Sequence, residues 1–269
     1  MHPAQSCANR PRAMGQYGFV SEYDELAGLY DATRGGERRG DEYAADIDAL
    51  LPAGEGPVLE IGVGTGVVAL GLSRRGRSVV GIDISAPMLG RAWSRLGPVV
   101  ARSDAMRMAV ATSSVAHAVS VWVVHSVKDP VLLFEEAARV LRPGGRYFVC
   151  TTQRPAPDDR VGQVIAAMSA RVDSRRGASR PHAVTAEQVL AWAGQAGFSG
   201  ATHQLARQWR SSPETELTAI ADRQWPALRE LDEEAIEEVT RPAVEALKSM
   251  PATECLRRAT SDVLVLQPA

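Results

Sequence analysis

A chain of 269 residues, 45% hydrophobic and 23% charged, has the composition of a soluble globular protein and the length for one α/β domain with additions. Its formal net charge of −2 gives no general pull toward nucleic acid or anionic membrane, so neither is expected as a partner. Cys7, Cys150 and Cys255 are far apart with no C-x-x-C pair, and no apolar run approaches ~18 residues; reduced thiols, no metal site and a cytoplasmic protein follow as expectations.

Residues 1–16 are poor in apolar side chains and read as a mobile leader. From Tyr17 the pattern changes, and Tyr23, Leu26, Ala27 and Tyr30 fall on one face of a predicted helix. Arg34 follows it, able to pair with a carboxylate or to stand in solvent. Residues 41–51 predict a second helix stopped by Pro52, so that 17–52 form N-terminal cap helices.

Val58-Leu59-Glu60-Ile61 is a buried strand that runs into Gly62-Val63-Gly64-Thr65-Gly66 and then into a helix from Val67. Gly62, Gly64 and Gly66 allow φ > 0 and leave bare backbone for a bulky ligand, while the helix start offers unpaired N–H groups. A dinucleotide loop would need its third glycine where Val67 stands. Glu60, two positions before the first glycine, would repel a pyrophosphate but attract an amino group or a sulfonium.

Residues 78–82 form the second strand, ending at Asp83. An acid there is placed either to hold a ribose or to cap the helix that begins at Ser85-Ala86-Pro87-Met88. A third strand over 99–102 is followed by Asp104, an acceptor suited to an exocyclic amine or to a helix cap. Residues 118–125 are the fourth strand and its exit, with His125 at the carboxyl end, where open α/β sheets bind ligands. A helix over 131–141 leads into a proline-glycine turn at 141–146 and a strand over 147–152.

The arginine-rich stretch 153–181, with Arg154, Arg160, Arg171 and Arg175 and a helical patch at 161–172, reads as an insertion over the mouth of the site, either matching an anionic acceptor or solvated. Thr185-Ala186-Glu187-Gln188 is a capping box for a helix to 196, before a strand at 201–206. Ser212-Pro213-Glu214 starts another helix, 231–248 is an acidic amphipathic one, and 262–266 is the last strand. The helices between these last two strands are taken as acceptor-pocket or homodimer material, and Trp192, Trp209 and Trp225 as packing residues.

Three features together resemble the class I (Rossmann-like) S-adenosylmethionine-dependent methyltransferases of the small-molecule, ubiquinone-biosynthesis-like type. They are the spacing Glu60-x-Gly62-x-Gly64-x-Gly66, the acid Asp83 closing the second strand, and Arg139-Val140-Leu141-Arg142-Pro143-Gly144-Gly145. The resemblance implies an α/β fold: a seven-stranded, mostly parallel sheet with helices on both faces, N-terminal helices and a helical C-terminal insertion. S-adenosyl-L-methionine would lie in a core over 53–152, with 153–269 supplying the rest of the sheet and the acceptor side.

The same resemblance places Asp83 on the ribose, Ile84 and Met88 beside the adenine, Asp104 on its amino group with the Ala105 N–H on the ring, and Val121 in the cofactor wall. The Y-D-x-x-A-x-x-Y-D pattern of residues 23–31 looks like a segment whose aromatics close over cofactor and acceptor, which makes Tyr23 a candidate catalytic residue and Tyr30 a cofactor residue, or else both packing residues. Arg34 would take the methionine carboxylate. The family's F-D is replaced by Val115-Ala116 and its histidine pair by His125-Ser126, leaving His125 either to deprotonate or orient the acceptor or to serve as a structural histidine. The expected activity is methylation of a small metabolite, such as a tailoring step in natural-product biosynthesis. Two alternatives stand: an RNA or protein methyltransferase, disfavoured by the lack of a basic patch and of an N/D-P-P-Y tetrapeptide, and a cofactor-binding protein of this fold that transfers no methyl.

Overall fold

The structure, a computed structural model, describes Asp24, Ala27, Gly28 and residues 30–54, 56–151, 153–175 and 184–269. The expected leader, Tyr23 and most of the first predicted helix lie outside the described residues. Helix α1 (Tyr30–Arg34) is short, and α2 (Gly36–Leu50) follows after Gly35 at φ 83°. The second helix thus starts five residues earlier than its apolar pattern suggests, because Glu37, Arg38 and Arg39 occupy a first turn without an apolar stripe.

Strand and helix then alternate: β1 (Val58–Ile61), α3 (Val67–Arg74), β2 (Val79–Asp83), α4 (Ala86–Leu96), β3 (Val100–Arg102), β4 (Val115–Val121), α5 (Pro130–Val140) and β5 (Leu141–Cys150). These strands pair in parallel in the order β3-β2-β1-β4-β5. The remaining elements are β6 (Arg154–Pro155), α6 (Arg160–Arg175), α7 (Ala186–Gln195), β7 (Phe198–Ser211), α8 (Pro213–Ala221), α9 (Glu233–Lys248) and β8 (Cys255–Pro268). β8 runs antiparallel to β5, β6 and β7. The seven expected strands are present in a mostly parallel sheet, and the two-residue β6 is an eighth.

Side-chain alternation sorts the core into two layers. Leu59, Ile61, Ala118, Tyr147, Val149 and Leu264 pack with α5 and α7, while Val58, Val119, Phe148, Cys150 and Val263 pack with α2 and α3. The second layer is tight because α2 and α3 meet through glycine: a Cβ on Gly71 would lie 2.6 Å from the Ala44 Cβ. Burial of all four β1 residues on both faces is what makes its sequence a continuous apolar run broken only by Glu60.

Two expectations change. The proline-glycine segment 141–146 is not a free turn but an irregular stretch of β5, where the register jumps from Val115↔Leu141 to His117↔Arg146 and Gly144 takes φ 79°. β7 spans Phe198–Ser211 rather than 201–206, its fourteen residues all paired with β8. Most of its side chains are exposed and polar, so backbone pairing rather than an apolar face defines it.

The C-terminal helices form a layer of their own around Val161, Met168, Ile220, Ala243 and Leu247. Trp225 packs there and Trp192 against the larger core. Arg154 pairs with Asp262 and Arg175 with Glu238, so these two arginines serve the fold; Arg160 and Arg171 are exposed. Among the described residues no helix is long and apolar enough to cross a membrane.

The helical layer is fastened to β8 by Arg257, whose side chain is 5% exposed. Its Nε donates to both oxygens of Asp159 at 2.8 and 2.9 Å and its Nη1 to Glu216 at 2.8 Å. Removing one member of such a buried pair strands the other charge, so Arg257→Ala is expected to cost about 3–5 kcal/mol. Urea unfolding followed by circular dichroism checks this; a loss under about 1 kcal/mol, the scale of an exposed pair, would contradict it.

Candidate functional site

The chain leaves β1 for β2 on one side and returns through β3 to β4 on the other, so the loops after β1 and β4 diverge and open a crevice at their carboxyl ends. A cavity of about 500 Å³, counting its open mouth, lies there. The glycine loop forms one wall, α1 and the start of α2 another, and Val121-Trp122 a third.

Gly62, Gly64 and Gly66 all have positive φ, at 70°, 54° and 83°, but for different reasons. A Cβ on Gly62 would collide with the Val123 side chain, and one on Gly66 would stand 3.0 Å from the Ala92 Cα of α4. A Cβ on Gly64 would meet nothing within 4 Å. Gly62 and Gly66 therefore let neighbouring elements close in, while Gly64 presents bare backbone to the open cavity. Gly66 itself does not line it.

Glu60 is 2% exposed, lines the cavity, and has its Oε2 without a hydrogen-bond partner. Burial pushes its carboxyl up to about 8, against a hydrogen bond from the Ala69 N–H and with a further push from Asp83. A nearly neutral acid at the floor of a crevice is poised to ionise against an incoming cation.

Asp83 joins two turns. Its Oδ2 accepts from the Gly64 N–H and its Oδ1 from the Ser85 N–H, both at 2.8 Å. Burial raises its carboxyl more than these bonds lower it. The helix-capping alternative is not taken up by Asp83, since the Ser85 hydroxyl caps α4 by accepting from Met88 N–H. A carboxylate offers about four lone-pair sites, so Asp83 keeps acceptor capacity for a ligand.

Of the expected residues, Tyr30, Arg34, Glu60, Gly62, Gly64 and Val121 come together around the cavity. Asp83 adjoins it through Gly64. Met88 is on the buried face of α4, and Ile84, just before that helix, is 40% exposed. Asp104 and Ala105 sit in the turn after β3, where Asp104 accepts from the Met106 N–H at 2.8 Å, and neither lines the cavity. His125 lies on the single 3-10 turn Val124–Ser126 after β4, outside the cavity lining. Arg139 of the proline-glycine signature is architectural: it pairs with Glu136 and donates to the Met108 and Val110 carbonyls, pinning the segment after β3.

The structure adds residues that the sequence did not single out. Asp31 accepts from the Thr65 hydroxyl at 2.6 Å and pairs with Arg95 of α4 at 2.5 Å, while Asp24 accepts from the Ser85 hydroxyl. The segment before α2 is thus tied over the two loops through its aspartates, and the repeated Tyr-Asp pair seven positions apart was the signal. Arg34 donates to the Gln224 carbonyl, linking α1 to the C-terminal helical layer. Arg39 lies with its guanidinium 3.9 Å from the centre of the Trp122 ring, and Tyr43 meets Trp122 edge-on at 5.1 Å. Trp122 takes φ 58°, a strained setting for a bulky residue, immediately after β4.

A family model described as a methyltransferase domain matches residues 59–149. The chain is 33% identical over 192 residues to a demethylmenaquinone methyltransferase of Mycobacterium sp. (strain KMS), covering 67% of this chain and 81% of that protein. Among solved structures it is similar to a putative methyltransferase from Bacillus halodurans C-125, with a TM-score of 0.56, 18% identity and coverage of 85% and 99%. It is also similar to Haemonchus contortus phosphoethanolamine N-methyltransferase 2 in complex with S-adenosyl-L-methionine, with a TM-score of 0.54, 19% identity and coverage of 94% and 61%. At these identities the two structures speak for the fold alone, and the mycobacterial relative carries the family. With a glycine loop, strand-end acids and sheet order of this kind, the chain belongs to the class I S-adenosylmethionine-dependent methyltransferases.

Proposed function

We propose that the chain methylates a small metabolite in a biosynthetic tailoring step, using S-adenosyl-L-methionine held in the β1–β4 crevice. The observation that carries this reading is Glu60: a buried carboxyl oxygen without a partner, at the head of a glycine loop whose Gly64 leaves open space over the backbone. Such an oxygen is costly to leave unpaired and is suited to an ammonium or sulfonium. The name of the Mycobacterium relative supports a small, quinone-like acceptor rather than a macromolecule.

In this reading Asp83 takes the ribose hydroxyls, Ile84 and Met88 flank the base, and Asp104 with the Ala105 N–H meets its polar edge. Tyr30 and Val121 close the wall, and Arg34 takes a carboxylate. When bound, S-adenosylmethionine supplies a methyl group on a sulfonium that is open to displacement by a nucleophile. The chain's own contribution is to align, and to remove a proton where the acceptor has one. Alignment supplies on the order of 7–11 kcal/mol in favourable cases, so few side chains need take part chemically.

Titration calorimetry with S-adenosylhomocysteine is expected to give saturable binding whose affinity rises with pH. At pH 7 a group with its value at about 8 is mostly protonated, so binding to the ionised form strengthens roughly tenfold per unit well below 8 and about fivefold from pH 7 to 8. Glu60→Gln should weaken binding and flatten that slope. The same raised value means the folded chain holds a proton that the unfolded one loses near 4.5; this group alone lowers stability by about 1.4 kcal/mol per unit between those values as pH rises, and the substitution should remove that share of the fall. No saturable binding would overturn the cofactor reading.

His125, at the exit of β4, is assigned to deprotonating or orienting the acceptor. His125→Ala should lower transfer of label from methyl-labelled S-adenosylmethionine into the small-molecule fraction of a cell extract by about 10²-fold, with affinity for S-adenosylhomocysteine unchanged. Undiminished transfer would remove His125 from the chemistry.

A further inference from the structure

The cavity is electrically divided, and the division follows the sheet. Glu60 of β1 lines it with Asp83 of β2 adjoining, while Asp31 of α1 is already paired with Arg95; the Arg39 guanidinium and Trp122 stand toward the ends of β4 and β5. On that second side the Arg39 guanidinium is stacked on Trp122 and donates to the Gln153 side chain at 2.7 Å, just beyond the end of β5. β2 and β5 are three strand spacings apart, about 14 Å.

Arg39 lacks the partner such a group normally has. Among the described residues no carboxylate pairs with it; its acceptors are the Gln153 amide oxygen, the Tyr43 hydroxyl and, at 3.4 Å, the Arg34 carbonyl, all of them neutral. Arg207, the other arginine over this aromatic pair, lies 4.3 Å from the Tyr43 ring centre and does have an acid, Asp46. Burial holds the Arg39 guanidinium below its usual value, and the like charge of Arg34 adds to this. Beside it the Trp122 indole N–H is buried without an acceptor. A buried cation with only neutral acceptors and an N–H donor with none, on the wall of one cavity, leave room for an anion.

The cofactor brings one carboxylate, and two arginines line the cavity. Arg34, on α1 and tied to Gln224, is assigned the cofactor carboxylate above. Building on that reading, we propose that Arg39 and the Trp122 N–H bind an oxyanion on the acceptor, so that the enzyme selects small organic acids over neutral analogues. Arg39 is then a specificity residue: its stacking on Trp122 and its bond to Gln153 fix the guanidinium plane, and the apolar Val121 beside it leaves the anion few other partners.

The test separates this assignment from the cofactor reading. S-adenosylhomocysteine binding by the unaltered protein tests the cofactor; it should fall about tenfold in Arg34→Gln and stay within about twofold in Arg39→Gln. With S-adenosylhomocysteine saturating, saturation-transfer NMR with benzoate, 4-hydroxybenzoate and benzamide should show both anions bound and the neutral amide not. Arg39→Gln should weaken the anions about tenfold or more, and Arg39→Lys, which keeps the charge, should restore part of that. Unchanged thermal melting of both variants would exclude a folding defect. Tenfold loss of S-adenosylhomocysteine by Arg39→Gln, equal binding of benzamide, anion binding indifferent to Arg39, or no anion binding by the unaltered protein would each overturn the proposal.

Discussion

The carboxylate of Asp83 is the contact on which the site depends. It takes one N–H from the loop after β1 and one from the loop after β2, so two successive strand-to-helix turns share a single half-buried acid. That sharing fixes Gly64 with its open side toward the crevice, and Gly64 sits four residues after Glu60, whose second oxygen has no donor. An acid with both oxygens bonded holds the loop, and an acid with one oxygen still unpartnered gives the loop something to bind.

Around this pair the fold supplies enclosure. The aspartates at 24 and 31 reach over to Ser85, Thr65 and Arg95, tying the segment before α2 to the same two loops. From the other side the C-terminal helical layer, anchored to β8 through Arg257, extends to Arg34 through the Gln224 carbonyl. The segment before α2 and the C-terminal layer thus reach the cavity from parts of the chain distant in sequence, each through polar contacts rather than a broad apolar interface. A ligand can displace contacts of that kind more readily than a packed face, because each is worth only about 1 kcal/mol net.

Much of the parallel half of the sheet was legible because strands such as β1 are buried on both faces and so read as apolar runs, with glycines or acids only where a loop must turn. The capping box at Thr185 and the proline starts of α4, α5 and α8 were legible for a related reason: each is a local interaction complete within four residues. β7 was cut short in the sequence reading because its solvent-facing polar residues mask a pairing with β8 that no local pattern reveals. At the site, Glu60 and the glycines announced themselves by spacing. Arg39 did not: it lies in the charged run Glu37-Arg38-Arg39, where helical phase is invisible without an apolar stripe. Trp122 was hidden as one more apolar residue of strand four, since its positive φ depends on the surrounding fold. The tyrosines at 23 and 30 drew notice for their rings, whereas the contacts described are those of the aspartates beside them.

The most direct test of the central claim, that an unpartnered Glu60 beside a loop-holding Asp83 makes the cofactor seat, is a crystal structure of the complex with S-adenosylhomocysteine. The arrangement predicts the ligand ammonium within about 3.2 Å of Glu60 Oε2 and the ribose hydroxyls on Asp83, with the Gly64 N–H bond to Asp83 retained. A ligand seated elsewhere, or a Glu60 still without a partner in the complex, would contradict it.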